Sequence, residues 1–224
     1  MRLLLINPNT SKGATARIAA AAEKARWPGD KFTTLSPAMG PELIVTEADS
    51  RGAADAVVDT VESYQSLCDG IILASFGNTG AAQVQALRPD IPVIGIATAA
   101  FSVARVLGGP FAIATFGQGL VPGLMAQVKE SRLEDQLTET LCLDVESFGD
   151  PGTVQDRYGD ALLALCLKAA SRGAHSIVVG GGPLAGLAGD LAKDCPIPLI
   201  DGTQAAINII RAVLHRPCPS ALRQ

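Results

Sequence analysis

Histidine is scarce in this 224-residue chain, which contains only His175 and His215. His175 precedes a predicted strand and His215 closes the last predicted helix, so neither is placed to form a Ser-His-Asp arrangement with Ser75. Two histidines so far apart in the chain also disfavour a metal site. We therefore expect neither a triad hydrolase nor a metalloenzyme.

The sequence also has no long apolar run, no basic cluster and no paired cysteines. No apolar run approaches the ~20 residues that a membrane span needs. The formal net charge is −4 with no cluster of Lys and Arg, which argues against nucleic acid as a partner. The scattered cysteines have no C-x-x-C spacing, which argues against a disulfide framework or a zinc site; they are Cys68, Cys142, Cys166, Cys195 and Cys218. We expect a cytoplasmic protein that binds neither membrane nor nucleic acid.

The most informative stretch runs from Gly70 to Gly80, where an apolar segment leads into a loop of small and polar residues. Residues 71–74 are β-branched or apolar and are bounded by glycines, which is typical of a buried strand. In an α/β sheet, ligands bind at the carboxyl end of such a strand, because the loop and the next helix present free N–H groups there. We therefore expect the functional site at Ser75 and its loop.

A second stretch, from His175 to Gly186, has the same pattern, and Ser75 lies 106 residues before Gly181. The segments 91–100 and 197–206 match at the same offset, and residues 5–9 match 112–116 at an offset of about 107. An internal repeat this long predicts two copies of one α/β lobe, with the matched loops facing each other across a cleft.

Hydrophobic periodicity predicts strands alternating with helices, and therefore a parallel sheet in each lobe. Lobe 1 is predicted over residues 1–100 and lobe 2 over 101–202, with the C-terminal helix, about 203–224, packing back on lobe 1. The predicted strands are 3–6, 31–35 at a sheet edge, 71–74, 91–96, 111–115, about 140–145, and one each near Ser176 and Pro198. The predicted helices are 12–26, 46–66, 81–87, 98–107, 120–130, 153–172, 184–193 and 203–214.

Four loops are predicted at the carboxyl ends of strands, over residues 7–11, 75–79, 115–118 and 180–183. Their amides, hydroxyls and helix N-termini are suited to a carboxylate or an imide. Asn9 and Thr10 are equally suited to helix capping, and Gly180 to Gly182 to tight packing of strand against helix. The glycines do not form G-x-G-x-x-G, so a dinucleotide is not expected.

Four segments together resemble the aspartate/glutamate/hydantoin racemase superfamily, and hydantoin and allantoin racemases in particular. They are residues 6–11 (Ile-Asn-Pro-Asn-Thr-Ser), residues 75–80 (Ser-Phe-Gly-Asn-Thr-Gly), the Gly180 loop and residues 198–202 (Pro-Leu-Ile-Asp-Gly). The resemblance covers nearly the whole chain. It implies two pseudo-symmetric Rossmann-like lobes, a site between them and no cofactor. It also implies two cysteines, one per lobe, that remove and deliver a proton on opposite faces of the substrate.

This chain departs from that pattern, because the two cysteine positions match Ser75 and Gly181. An alkyl hydroxyl without a neighbouring base is a poor proton acceptor at neutral pH, and glycine has no side chain. None of the five cysteines is predicted to lie near the cleft. Ser75 is then either an engineered replacement in a one-thiol enzyme akin to arylmalonate decarboxylase, or the natural residue of a decarboxylase or isomerase that stabilises an enolate. The third alternative is a small-ligand-binding protein without catalysis.

We expect a cofactor-independent enzyme of the racemase/isomerase type that acts through an enolate-like intermediate on a small carboxylate or cyclic amide. The catalytic positions would be Ser75 and Gly181, and the amides of Phe76, Gly77, Gly181 and Gly182 would stabilise charge. The predicted substrate-binding residues are Asn9, Thr10, Phe76, Gly77, Asn78, Thr79, Thr115, Phe116, Gly182 and Pro183. No metal is expected, and the apolar helices favour a homo-oligomer.

Overall fold

The computed structural model describes residues 1–44, 46–145 and 149–214. The strands are β1 (Arg2–Ile6), β2 (Lys31–Leu35), β3 (Gly70–Leu73), β4 (Val93–Gly95), β5 (Phe111–Thr115), β6 (Leu137–Cys142), β7 (Ser176–Val179) and β8 (Leu199–Asp201). The α-helices are α1 (Lys12–Lys24), α2 (Glu47–Ser63), α3 (Ala81–Leu87), α4 (Ile96–Leu107), α5 (Val121–Glu130), α6 (Val154–Ser171), α7 (Leu187–Leu191) and α8 (Gly202–Val213).

The strands form two four-stranded parallel sheets, in the orders β2-β1-β3-β4 and β6-β5-β7-β8. Each strand of the second sheet takes the place of the strand four earlier in the first. The inner strands β1, β3, β5 and β7 are buried almost throughout, as expected where helices cover both faces of a parallel sheet. The predicted α/β fold with two parallel sheets is confirmed, and β2 lies at an edge as predicted.

Strand register corrects one of the predicted offsets. Leu3 pairs with Gly70 and Phe111 pairs with Ser176, so the first strands of the two lobes are 108 residues apart while their neighbours are 106 apart. Asn7 therefore matches Thr115, whereas the sequence offset of about 107 matched Pro8 to it. A slip of one residue matters because side chains alternate between the two faces of a strand.

Several predicted boundaries are wrong by a few residues. The helix α3 keeps its predicted bounds, Ala81–Leu87, but its N-cap is Gly80, in the left-handed region at φ 80°, and no side chain caps it. The sixth strand ends at Cys142, three residues earlier than predicted, because Leu137 to Cys142 pair with β5. The α-helical part of the predicted helix 184–193 is only α7, since flanking turns are 3₁₀. At helix α1 the cap is Ser11, whose hydroxyl accepts from the Ala14 N–H at 3.1 Å.

The helix that follows the last strand of each sheet packs against the other sheet: α4 follows β4 and packs against the second sheet, and α8 follows β8 and packs against the first. Phe101 of α4 contacts Phe111 of β5, with ring centroids 6.0 Å apart. A Cβ placed on Gly70 of β3 would lie 3.0 Å from Ile210 of α8, so α8 lies against the first sheet. The helices α4 and α8 also meet, since a Cβ on Gly202 would lie 2.5 Å from the Ile96 carbonyl oxygen.

A buried ion pair also ties α8 to the first sheet region. The Arg211 Nη2 donates to Asp30 Oδ2 at 2.9 Å, and both side chains are less than one-tenth exposed. Asp30 also accepts from the Met1 amino group at 2.9 Å, and the Arg211 guanidinium lies 3.9 Å from the centroid of the Trp27 ring.

The lobe boundary near residue 100 and the homo-oligomer stay predictions. Residues 215–224 of the predicted C-terminal helix, with His215 and Cys218, lie outside the described residues.

Among the described residues, no helix is both long enough and apolar enough to cross a membrane.

Candidate functional site

A cavity of about 370 Å³ opens where the carboxyl ends of the two sheets approach each other. It is lined by the loops that follow β1, β3, β5 and β7 and by the starts of α2 and α5. Of the predicted site residues, ten line it: Asn9, Ser75, Phe76, Gly77, Thr79, Thr115, Phe116, Gly181, Gly182 and Pro183. Thr10 and Asn78 do not.

The Ser75 hydroxyl is held by its own loop. Its Oγ accepts from the Gly77 N–H at 3.2 Å and lies 3.2 Å from the Thr79 hydroxyl. Asn78 is in the left-handed region at φ 49°. Its backbone N–H donates to the Ser75 carbonyl at 3.3 Å, which stabilises the loop. Because the Gly77 amide already bonds Ser75, it is directed away from a ligand in this conformation.

The loop after β7, which lies opposite the Ser75 loop, presents backbone groups to the cavity in place of a side-chain hydroxyl. Gly181 is at φ 132°, and a Cβ built there would lie 2.7 Å from the buried ring of Phe116. Gly182 is also confined, since its Cβ would lie 2.9 Å from the Ala74 carbonyl oxygen. These glycines bring the two loops close together and leave no room for a side chain at position 181.

Asn9 and Thr115 line the cavity with their polar groups partly engaged. The Asn9 Oδ1 accepts from Asn7 Nδ2 at 2.9 Å and from the Ser11 N–H at 3.0 Å, which leaves its Nδ2 without a partner among the described residues. The Thr115 hydroxyl donates to the Gly180 carbonyl at 2.9 Å. Thr115 therefore fastens β5 to the glycine loop, and its oxygen lone pairs remain to accept a bond.

Thr10 and Asn78 act on the surroundings of the cavity. The Thr10 N–H donates to the Pro41 carbonyl at 3.0 Å and so holds the loop before α2, which supplies Leu43 and Ile44 to the lining. The Asn78 Nδ2 donates to Thr98 Oγ1 at 2.9 Å and also to Gln127 Oε1.

Sequence reasoning missed the lining contributed by the starts of α2 and α5 and by the residues just before them. Around α2 these are Leu43, Ile44, Thr46, Glu47 and Ser50, and around α5 they are Gly119, Leu120, Pro122, Gly123, Leu124, Ala126 and Gln127. The capping box at Thr46, in which Thr46 and Asp49 bond each other's backbone, is visible in the sequence and fixes where α2 begins. No local signal shows that this helix start faces the second sheet, because that depends on how the two sheets pack.

Ionisable side chains are few around the cavity. Among the described residues that line it, Glu47 alone has an acidic or basic side chain, and this exposed carboxylate pairs with Arg51 at 2.6 Å. No described cysteine lines the cavity. Burial raises the pKa of Cys142. Burial also raises the pKa of Cys166 to about 12, with a smaller contribution from the charge of Cys195. These thiols are therefore poorly suited to supply a thiolate.

No group of three or more His, Cys, Asp or Glu side chains that could hold a metal ion occurs within the described part of the chain.

The fold is that of an α/β protein with two parallel sheets and a cavity between them, and comparison with known proteins gives the family. The model of the Asp/Glu/hydantoin racemase family matches residues 3–210. The chain therefore belongs to the Asp/Glu/hydantoin racemase family.

Individual relatives agree with this assignment. Hydantoin racemase from Paenarthrobacter aurescens is 27% identical over 221 residues, which cover 96% of this chain and 91% of that protein. The structure of allantoin racemase from Klebsiella pneumoniae is 28% identical, with a TM-score of 0.85 over 96% of this chain and 88% of that one. The structure of arylmalonate decarboxylase shares the fold. It is 18% identical, with a TM-score of 0.64 over 95% of this chain and 92% of that one.

Proposed function

We propose that this chain binds a small cyclic amide or carboxylate in the cavity between its sheets and acts on it through an enolate-like intermediate without a cofactor. The observation that carries the proposal is the position of the Ser75 loop at a cavity of about 370 Å³, in a member of the Asp/Glu/hydantoin racemase family. Hydantoin racemase and allantoin racemase, to which the chain is similar, are named for cyclic amides.

Ser75 would act as a hydrogen-bond donor rather than as a base. Its oxygen already accepts from the Gly77 N–H and lies 3.2 Å from the Thr79 hydroxyl. With Thr79 donating, both lone pairs of Ser75 are engaged and its own proton is free to point at the ligand. A donor directed at the oxygen where negative charge develops stabilises an enolate. The N–H groups of Phe76, Gly181 and Gly182 would add to this stabilisation.

The charges around the cavity favour an uncharged ring over a carboxylate. No Lys, Arg or His is among the described lining residues, and the ionisable one is the acidic Glu47. A carboxylate bound here would lose hydration without gaining a cationic partner, which is costly. Neutral amides and hydroxyls can satisfy the carbonyl groups of a cyclic amide at a lower desolvation cost.

Decarboxylation is a second candidate, favoured by the shortage of bases among the described lining residues. Loss of CO₂ leaves the electron pair of the broken C–C bond on carbon, where the adjacent carbonyl delocalises it, so no protein base is required. The carbanion then takes a proton from water. Racemisation needs a base to remove a proton first, and the exposed, Arg51-paired Glu47 is a weak choice for that task.

The test is to incubate hydantoins, allantoin, aspartate and aryl malonates in D₂O with this chain and with Ser75→Cys. NMR follows deuterium uptake at the carbon next to the carbonyl and, for the malonates, release of CO₂. We expect Ser75→Cys to exchange a cyclic amide at least tenfold faster than the unmodified chain, because a thiol with a pKa near 8.5 is a far better proton carrier than an alcohol. Thr60→Val, remote from the cavity lining, is the matched control. Absence of both deuterium uptake and CO₂ release with either protein would favour a binding protein without catalysis.

A further inference from the structure

The Gln127 side chain reaches the cavity from α5 with only one end of its amide engaged. Its Oε1 accepts a hydrogen bond from Asn78 Nδ2. No described residue accepts a hydrogen bond from its Nε2. A carboxamide nitrogen carries two N–H donors, so this group can bond an acceptor on a ligand.

Asn78 determines which end of the Gln127 amide faces the cavity. One N–H of the Asn78 amide donates to Thr98 Oγ1 at 2.9 Å and the other to Gln127 Oε1. The Asn78 Oδ1 is buried beside Gly95, where a Cβ would lie 1.8 Å from it, and has no hydrogen-bond partner among the described residues. Since Asn78 presents donors towards α5, Gln127 turns its oxygen to Asn78 and its nitrogen away.

Asn9 has the same arrangement on the other side of the cavity. Its Oδ1 accepts two hydrogen bonds within its own loop, from Asn7 Nδ2 and the Ser11 N–H, and the side chain is 7% exposed. Asn9, after β1, and Gln127, on α5, both line the cavity, and each has its amide oxygen held by protein and its amide nitrogen left to bond a ligand. A ligand that satisfies both carries an acceptor oxygen on each of two sides.

We propose that Gln127 selects the ligand by donating to a carbonyl oxygen, with Asn78 as the positioning residue that orients it; this rests on the proposed function. A ring with two carbonyl groups would place one oxygen at Asn9 and the other at Gln127. Neither Gln127 nor Asn78 takes part in proton transfer.

The experiment titrates hydantoin and succinimide into the ¹⁵N-labelled chain and its variants, following side-chain amide signals by NMR. We expect the Gln127 NH₂ signal to shift with ligand in the unmodified chain. Gln127→Leu should raise the dissociation constant at least tenfold. Gln127→Glu, which keeps the shape and loses the donor, should raise it at least as much. Gln136→Leu, on a residue of the same region that does not line the cavity, should leave binding unchanged.

Asn78→Asp tests the positioning role. An aspartate at this position accepts hydrogen bonds, so the Gln127 amide should turn over and donate its NH₂ to the carboxylate. We expect hydantoin to bind as weakly as it does to Gln127→Leu, and the Gln127 NH₂ protons to become protected from exchange with water. In the double variant, Asn78→Asp should cause no further loss beyond Gln127→Leu alone.

Three results would overturn this proposal. Unchanged binding in both Gln127 variants would contradict it while leaving the proposed function standing. An additive loss in the double variant would show that Asn78 acts independently of Gln127. If neither hydantoin nor succinimide bound the unmodified chain, the selection by Gln127 and the proposed cyclic-amide function would fail together.

Discussion

Replacing Gly181 by Ala tests whether the second loop has room for a side chain. Gly181 is at φ 132°, a region that residues with a Cβ rarely adopt, and the new methyl group would lie 2.7 Å from Phe116 Cε1. The ring of Phe116 is fully buried, so moving it would disturb the residues packed around it. Both the backbone and the packing therefore oppose the substitution.

The two effects give the expected magnitude. Backbone strain of this kind costs about 1–3 kcal/mol, and overpacking of a filled core costs about 1–3 kcal/mol more. A combined loss of about 3 kcal/mol corresponds to a fall in Tm of roughly 6–12 °C for a chain of this size. Calorimetry or thermal unfolding followed by circular dichroism measures it directly.

Gly123→Ala is the matched control, because Gly123 also lines the cavity yet has nothing within 4 Å of its Cβ position and no left-handed φ. Its Tm should stay the same or rise slightly, since alanine is the better helix former. Phe116→Leu should cost less in the Gly181→Ala background than alone, because it relieves the contact. A Tm for Gly181→Ala within about 2 °C of the unmodified chain would refute the reasoning, and a thiol could then be accommodated at position 181.

Two further predictions concern the scaffold. Burial, the largest influence, raises the pKa of Asp30, but hydrogen bonds from the Met1 amino group, Arg211 and the Trp27 N–H outweigh it and lower the pKa below 3.8. The stability that this carboxylate contributes is present above pH 3.8 and is lost as the pH falls towards the folded-state pKa. Asp30→Asn should therefore cost about 3–5 kcal/mol at pH 7, and the cost measured in urea titrations should shrink as the pH is lowered below 3.8; a cost that stays constant across this range would contradict this. Gly95→Ala would drive a Cβ to 1.8 Å from Asn78 Oδ1, so we expect lower stability and, in ligand titrations, the same weakened binding as Asn78→Asp; normal binding would show that Asn78 is free to move.

Local patterns predicted the strands because the buried segments are short apolar runs bounded by glycine or turn residues. The segment 71–74 and its match at Ser176 were located in this way, and their parallel pairing followed from the helices between strands. Boundaries were less well predicted where sheet pairing decides them, as at β6, or where 3₁₀ turns replace α-helix, as on both sides of α7.

The same patterns predicted most of the candidate site, since residues at the carboxyl ends of parallel strands meet at one edge whatever the details of packing. Ten of the twelve predicted residues line the cavity for that reason. Thr10 and Asn78 belong to the right loops, but their directions depend on their partners Pro41 and Gln127.

The sequence by itself determined the repeated α/β pattern, the loops of small residues and the absence of a thiol at positions 75 and 181, because these are properties of residues close together in the chain. The tertiary structure alone decided that Phe116 fills the space beside Gly181 and that Asn78 orients Gln127. Those contacts join residues 49 or more positions apart. Phe116 and Gly181 meet because β5 pairs with β7, and Asn78 and Gln127 meet because the first sheet region packs against the second.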